Sequence, residues 1–141
     1  MAGAVEGPGL GRFVTAQARV WPAPLDELRA GAKRTHWMWF VFPQLRGLGT
    51  SRMAQVYGIA DLDEARDYLS HPLLGARLGD CARAVLSHAD RPAEEILGPV
   101  DALKLRSSAT LFEAACAPWA EAVLERFFSG SRCPFTTLAV Q

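Results

Sequence analysis

Thr35-His-Trp-Met-Trp-Phe-Val-Phe-Pro-Gln-Leu-Arg-Gly-Leu-Gly-Thr-Ser-Arg52 is the stretch on which the fold turns. From Trp37 to Phe42 every side chain is large and apolar. Neither a helical nor a strand period leaves a solvent face there, so the segment must be buried nearly all round. His36 stands at its entrance, and its exit is polar and broken by Gly47 and Gly49. Aromatic content speaks for a buried strand. Helix-rich surroundings and the lack of any partner strand speak for a buried helix over residues 36–42, ending before Pro43. Helix is the expectation.

Outward from this segment the chain reads as helices marked by their own stop and start signals. Upstream, Phe13, Val14, Ala16, Gln17 and Val20 recur at helical spacing until Trp21-Pro22. A second helix starts near Leu25, with Asp26 and Glu27 in its first turn and Gly31 as its C-cap. Downstream, Thr50-Ser51 can cap a short helix bearing Met53, Val56 and Tyr57 on one face. Asp61 and Glu64 match a capping box opening a helix through Ala65, Tyr68 and Leu69. From Leu73 to Leu86 runs an amphipathic helix in which Gly75 and Gly79 admit a neighbour closely. Pro92, Pro99 and Pro118 each suit the first turn of a further helix, with Gly98 and Gly130 as stops. Residues 1–9, with three glycines and a proline, read as a disordered arm, and residues 131–141 as a packed, irregular tail. The expected fold class is all-α: residues 10–141 form a single compact multihelical domain around a buried central helix.

Composition narrows the function more by exclusion than by assignment. In 141 residues, half of them hydrophobic, a sizeable core can form. Fifteen basic and fifteen acidic residues cancel, and no basic run exceeds Lys33-Arg34, so no broad electrostatic footprint for nucleic acid is present. Cys81, Cys116 and Cys133 are widely spaced and lack CxxC pairing, which fits neither a zinc site nor a disulfide framework and suits a reducing cytoplasm. No signal-peptide pattern opens the chain and no apolar run approaches the ~20 residues needed to span a bilayer. The expectation is a cytoplasmic protein with no membrane partner.

The ordered segments His36-Trp-Met-Trp-Phe-Val-Phe-Pro-Gln44, Gly47-Leu-Gly-Thr-Ser51, Tyr68-Leu-Ser-His-Pro-Leu-Leu-Gly75 and Asp101-Ala-Leu-Lys-Leu-Arg-Ser-Ser-Ala-Thr-Leu-Phe112 resemble a bacterial family of unknown function. Some of its members are labelled "calpastatin". The resemblance runs from about Phe13 to Phe128 and implies a mainly helical domain with buried central helices, in keeping with helix at 36–42. A calpastatin is extended and disordered, whereas this chain is strongly hydrophobic, so the label misleads. No substrate, cofactor or catalytic residue comes with the resemblance.

Candidate site residues therefore rest on chemistry alone. His36 can serve as general acid or base because imidazole titrates near neutral pH, or it can simply bond its neighbours at a helix start. Trp37 and Trp39 can wall a ligand site, though on a helix they point about 200° apart, and core packing explains them better. Gln44, Ser51 and Arg52 offer a polar rim beside Gly47 and Gly49. Lys104, Ser107 and Ser108 fall three and four apart and can share one helix face near Asp101, where a lysine against two hydroxyls suits a phosphate or carboxylate. The bland alternative is a surface Asp101–Lys104 pair, and a serine–lysine nucleophile is the bolder one. No metal site is expected, since His71 and His88 lack ligand spacing. The expected function is binding of a small polar or anionic metabolite, such as a nucleotide derivative, in a pocket formed by residues 36–52 and 101–110. In its enzymatic form, hydrolytic or acid–base, His36 is the acid/base and Lys104 the electrostatic anchor. The other class is a non-enzymatic protein-interaction module docking through exposed aromatic residues.

Overall fold

The computed structural model describes residues 9–141, so the N-terminal arm expected over residues 1–9 lies, Gly9 apart, outside the described residues. Ten helices follow in order among the described residues: α1 (Gly11–Ala18), α2 (Ala23–Ala30), α3 (Met38–Val41), α4 (Arg52–Tyr57), α5 (Leu62–Ser70), α6 (Leu74–Leu86), α7 (Ala93–Leu97), α8 (Pro99–Ala114), α9 (Ala120–Phe128) and α10 (Pro134–Ala139). The fold is all-α. Only one isolated parallel bridge, Leu45 with Ile59, interrupts the helical pattern among these residues. None of their helices is long and apolar enough to cross a membrane.

Local signals set most boundaries. Gly31 ends α2 at φ 74°, in the left-handed region where glycine meets no steric penalty. Ser51 caps α4 by accepting from the Ala54 N–H. Asp61 caps α5 by accepting from the Glu64 N–H, while the Glu64 carboxylate accepts from the Ala60 N–H at 2.8 Å. The residues after Gly130 carry the short helix α10 where an irregular tail is expected, and its Thr136 is fully buried.

The central segment departs from expectation. Only Met38–Val41 is helical, a single turn rather than a helix over 36–42. Trp37 lies outside the helical region, at φ −148° and ψ 1°, while its indole N–H donates to Glu27 at 2.9 Å. Phe42 leaves the helical region because Pro43 follows it. The segment is nevertheless buried as its composition demands, with Trp37, Met38, Phe40, Val41 and Phe42 all in the core.

The long central element is α8, which packs against α5, α7, α9 and α10. An aromatic series ties the layers: Phe13 of α1 meets Tyr68 of α5 edge-on at 5.1 Å, Tyr68 meets Phe112 of α8 at 5.5 Å, and Phe112 meets Trp119 at 6.0 Å. Inside this core one polar side chain is satisfied by design of the chain path. Gln17 donates to the Phe40 carbonyl at 2.8 Å and to the Tyr68 hydroxyl at 3.0 Å, which fixes α1 to the end of α3. Close approach of α5 to α6 depends on Gly75, where an added Cβ would stand 2.1 Å from the Leu69 carbonyl oxygen.

Candidate functional site

The loop between α2 and α3 is held by one carboxylate. Glu27 accepts from the Arg34 and Thr35 N–H groups at 2.8 and 3.0 Å, from the Trp37 indole, and from the Thr35 hydroxyl at 2.7 Å. Partial burial pushes its carboxyl up, yet these donors outweigh that and bring it down to about 2. The clamp fixes the loop that carries Lys33, whose Nζ lies 2.8 Å from Asp101 Oδ2 and 5.0 Å from the Trp37 ring centre.

Lys33 and Lys104 are the only lysines in the chain, and they meet on Asp101. Lys104 Nζ is 3.2 Å from Asp101 Oδ1 and 3.7 Å from the Trp39 ring centre. Burial pushes the Asp101 carboxyl up, but the hydrogen bonds and charges of Lys33, then Lys104, hold it below the ordinary carboxylate range. Two ammonium groups on one carboxylate leave a net charge of about +1. Its outer member, Lys104, faces a groove of about 340 Å³.

That groove joins the two expected segments: Trp39, Gln44, Leu48 and Gly49 on one side, Val100, Leu103, Lys104, Arg106 and Ser107 of α8 on the other, with Cys133 between. Arg106 has no carboxylate partner among the described residues. Its one hydrogen bond is a long 3.4 Å contact to the Ser131 hydroxyl, and its Nε is buried without a partner. Among the described residues no acidic side chain lines the groove. Larger hollows of about 520 and 530 Å³ lie elsewhere. One is lined by Asp61 and Asp63 besides its arginines. In the other, Arg66 and Arg83 already pair with Asp63 and Asp80. Free basic charge, rather than size, sets the α3–α8 groove apart from these hollows.

Cys133 comes from a part of the chain that sequence reasoning set aside. It reaches the groove because Arg132 clasps Glu113 of α8 through two hydrogen bonds, at 3.0 and 2.5 Å, and because Thr110 accepts from the Cys133 N–H at 3.0 Å. Burial pushes its thiol up, but hydrogen bonds from Ser107 and Thr136 and the charge of Arg106 lower it below the ordinary value. Ser107 has a single proton to give: it bonds the Leu103 carbonyl at 3.2 Å, and turning to the sulfur gains most when that is a thiolate. Cys81, by contrast, is driven up to about 12 by burial and the nearby Asp80.

Of the expected site residues, Trp39, Gln44, Lys104 and Ser107 converge on the groove. The others do not. His36 is exposed in the turn before α3 and shares no cavity with Lys104. Trp37 is fully buried, Ser51 caps α4, and Arg52 is exposed on that helix. Ser108 is fully buried with its hydroxyl unpartnered. The shared polar face expected for Ser107 and Ser108 fails because residues 107–112 of α8 are all buried, whereas the apolar Leu103 is 59% exposed. The groove gains Arg106 and Cys133, which the sequence signalled only through Arg106 lying beside Lys104.

A model of a family described as a protein of unknown function (DUF1810) matches residues 8–140, a span that includes all four quoted segments. Among solved structures, the chain is similar to the conserved hypothetical protein Rv1873 from Mycobacterium tuberculosis. The two share 50% identity with a TM-score of 0.90, over 93% of this chain and 95% of the other. No curated protein matches.

Proposed function

The chain belongs to DUF1810, a family whose function is unknown, and we propose that it binds a small oxyanion-bearing metabolite in the groove between α3 and α8. One observation carries the reading: Lys104 and Arg106 line a hollow that, among the described residues, no acidic side chain lines. The Arg106 guanidinium has no carboxylate partner among the described residues, and a carboxylate or phosphate in the groove supplies acceptors and compensating charge together. Gln44 and Ser107 add neutral hydrogen-bonding groups on opposite walls. The volume suits a compact metabolite, being near the low end of ligand pockets at roughly 300–1,000 Å³.

The proposal is for binding, without a role for His36, because a proton donor outside the groove cannot reach a ligand within it. The protein-interaction reading has weaker support: the tryptophans are buried or half-buried, and Phe135 is the only exposed large aromatic among the described residues.

Thermal-shift titration with phosphate and small carboxylates, against chloride at matched ionic strength, tests it. Binding to one site stabilises the fold by about 2.7 kcal/mol at ~100 times the dissociation constant. Arg106→Gln and Lys104→Gln should each diminish the shift while His36→Ala leaves it intact. If no oxyanion exceeds chloride, the reading is wrong.

A further inference from the structure

The groove has a second chemical half that an anion alone leaves unused. Val100 and Leu103 line it from α8 and are 66% and 59% exposed, and Leu48 faces them from the loop after α3. Val100, Leu103 and Ser107 are spaced three and four apart, so the apolar pair and the polar end follow one another along a single helix face. On α8 these are positions where solvent would ordinarily favour polar side chains. Trp39 closes the polar end, with the Lys104 ammonium 3.7 Å from its ring centre.

We infer that the ligand is amphipathic: an oxyanion head at Lys104 and Arg106, joined to a short alkyl or aryl tail that covers Val100, Leu103 and Leu48. Charge complementarity fixes the head, and the groove's volume of about 340 Å³ limits the tail to a small group rather than a helix or a long chain. This inference rests on the anion reading and adds the substrate class. Covering an exposed aliphatic surface strengthens binding about fourfold for each methylene removed from water. A tail of a few carbons should therefore gain at least tenfold over the bare head.

Calorimetric titration of the whole chain with inorganic phosphate, butyl phosphate, phenyl phosphate, acetate and hexanoate reads this directly, each repeated on Val100→Thr/Leu103→Asn. Both substitutions sit at exposed positions, and circular dichroism checks that the variant is folded. The expected result is tenfold or greater tightening from phosphate to butyl or phenyl phosphate, or from acetate to hexanoate, lost in the double variant while inorganic phosphate binds unchanged. The better-binding series identifies the head as phosphate or carboxylate. If phosphate or acetate binds but tails add nothing, the amphipathic class is refuted and the anion reading stands. If no compound binds, both fail. A tail gain that survives in the double variant places the tail elsewhere and overturns the inference. So does a fall in sedimentation mass in that variant, which would mean that a second copy of the chain covers these residues.

Discussion

Replacing Glu27 by glutamine isolates the charge of the clamp that positions Lys33 and Trp37. Glutamine keeps the length, and its carbonyl oxygen can take the Arg34, Thr35 and Trp37 N–H groups while its amide donates to the Thr35 hydroxyl. Only the negative charge is removed. In the native protein the carboxyl falls from 4.5 to about 2. At ~1.36 kcal/mol per pH unit that is worth about 3 kcal/mol in the limit, and solvent screening of this partly exposed group reduces it to about 1–2 kcal/mol. Glu27→Gln should therefore lower Tm by about 3–7 °C at pH 7. Because the folded-state value is depressed, the stabilisation is fully present above the unfolded value and disappears as pH falls from about 4.5 toward about 2. Urea unfolding of both proteins, followed by tryptophan fluorescence between pH 7 and pH 2.5, measures the difference directly, and the other carboxylates cancel in it. A gap that is absent at pH 7, or that stays constant down to the lowest pH, would show that the clamp's charge is not what holds the loop.

Three further outcomes follow from the same geometry. Ser108→Ala removes a buried hydroxyl that has no partner, so it should stabilise the protein by about 1 kcal/mol in chemical denaturation; a loss of stability would mean that the hydroxyl is bonded in solution. Gly75→Ala should destabilise by about 2 kcal/mol, despite alanine's ~1 kcal/mol helix advantage, because the new Cβ collides with the Leu69 carbonyl rather than with a movable side chain. An unchanged Tm would contradict the close approach of α5 and α6. Alkylation by iodoacetate, read by mass spectrometry, should label Cys133 at a lower pH than an ordinary thiol near ~8.5, shift upward in Arg106→Ala, and leave Cys81 unlabelled until unfolding. An identical Cys133 profile in the variant would remove Arg106 from the thiol's environment.

Where one helix stops and the next begins is written locally, and that much the sequence determined by itself. Gly31, Ser51 and Asp61 act on backbone groups within a few residues of themselves, so their caps are legible without knowing the fold. Burial of Trp37, Met38, Phe40, Val41 and Phe42 was equally legible, because a run of six large apolar side chains can leave few of them exposed. Lys104 and Trp39 could be named as candidates from their chemistry and their segments expected around one pocket, but not which side chains would meet. Their contact, the sharing of Asp101 with Lys33, and the arrival of Cys133 beside Arg106 are set by distant packing. Periodicity also failed on α8, because a helix covered on most sides by α5, α7, α9 and α10 carries no single apolar stripe to say which residues face out. Hence Ser108 went inward and Leu103 outward, against their polarity. A local rule reads what a residue does to its own backbone; only the tertiary structure decides which charges find partners, and it is Arg106, without a carboxylate partner among the described residues, that marks the groove.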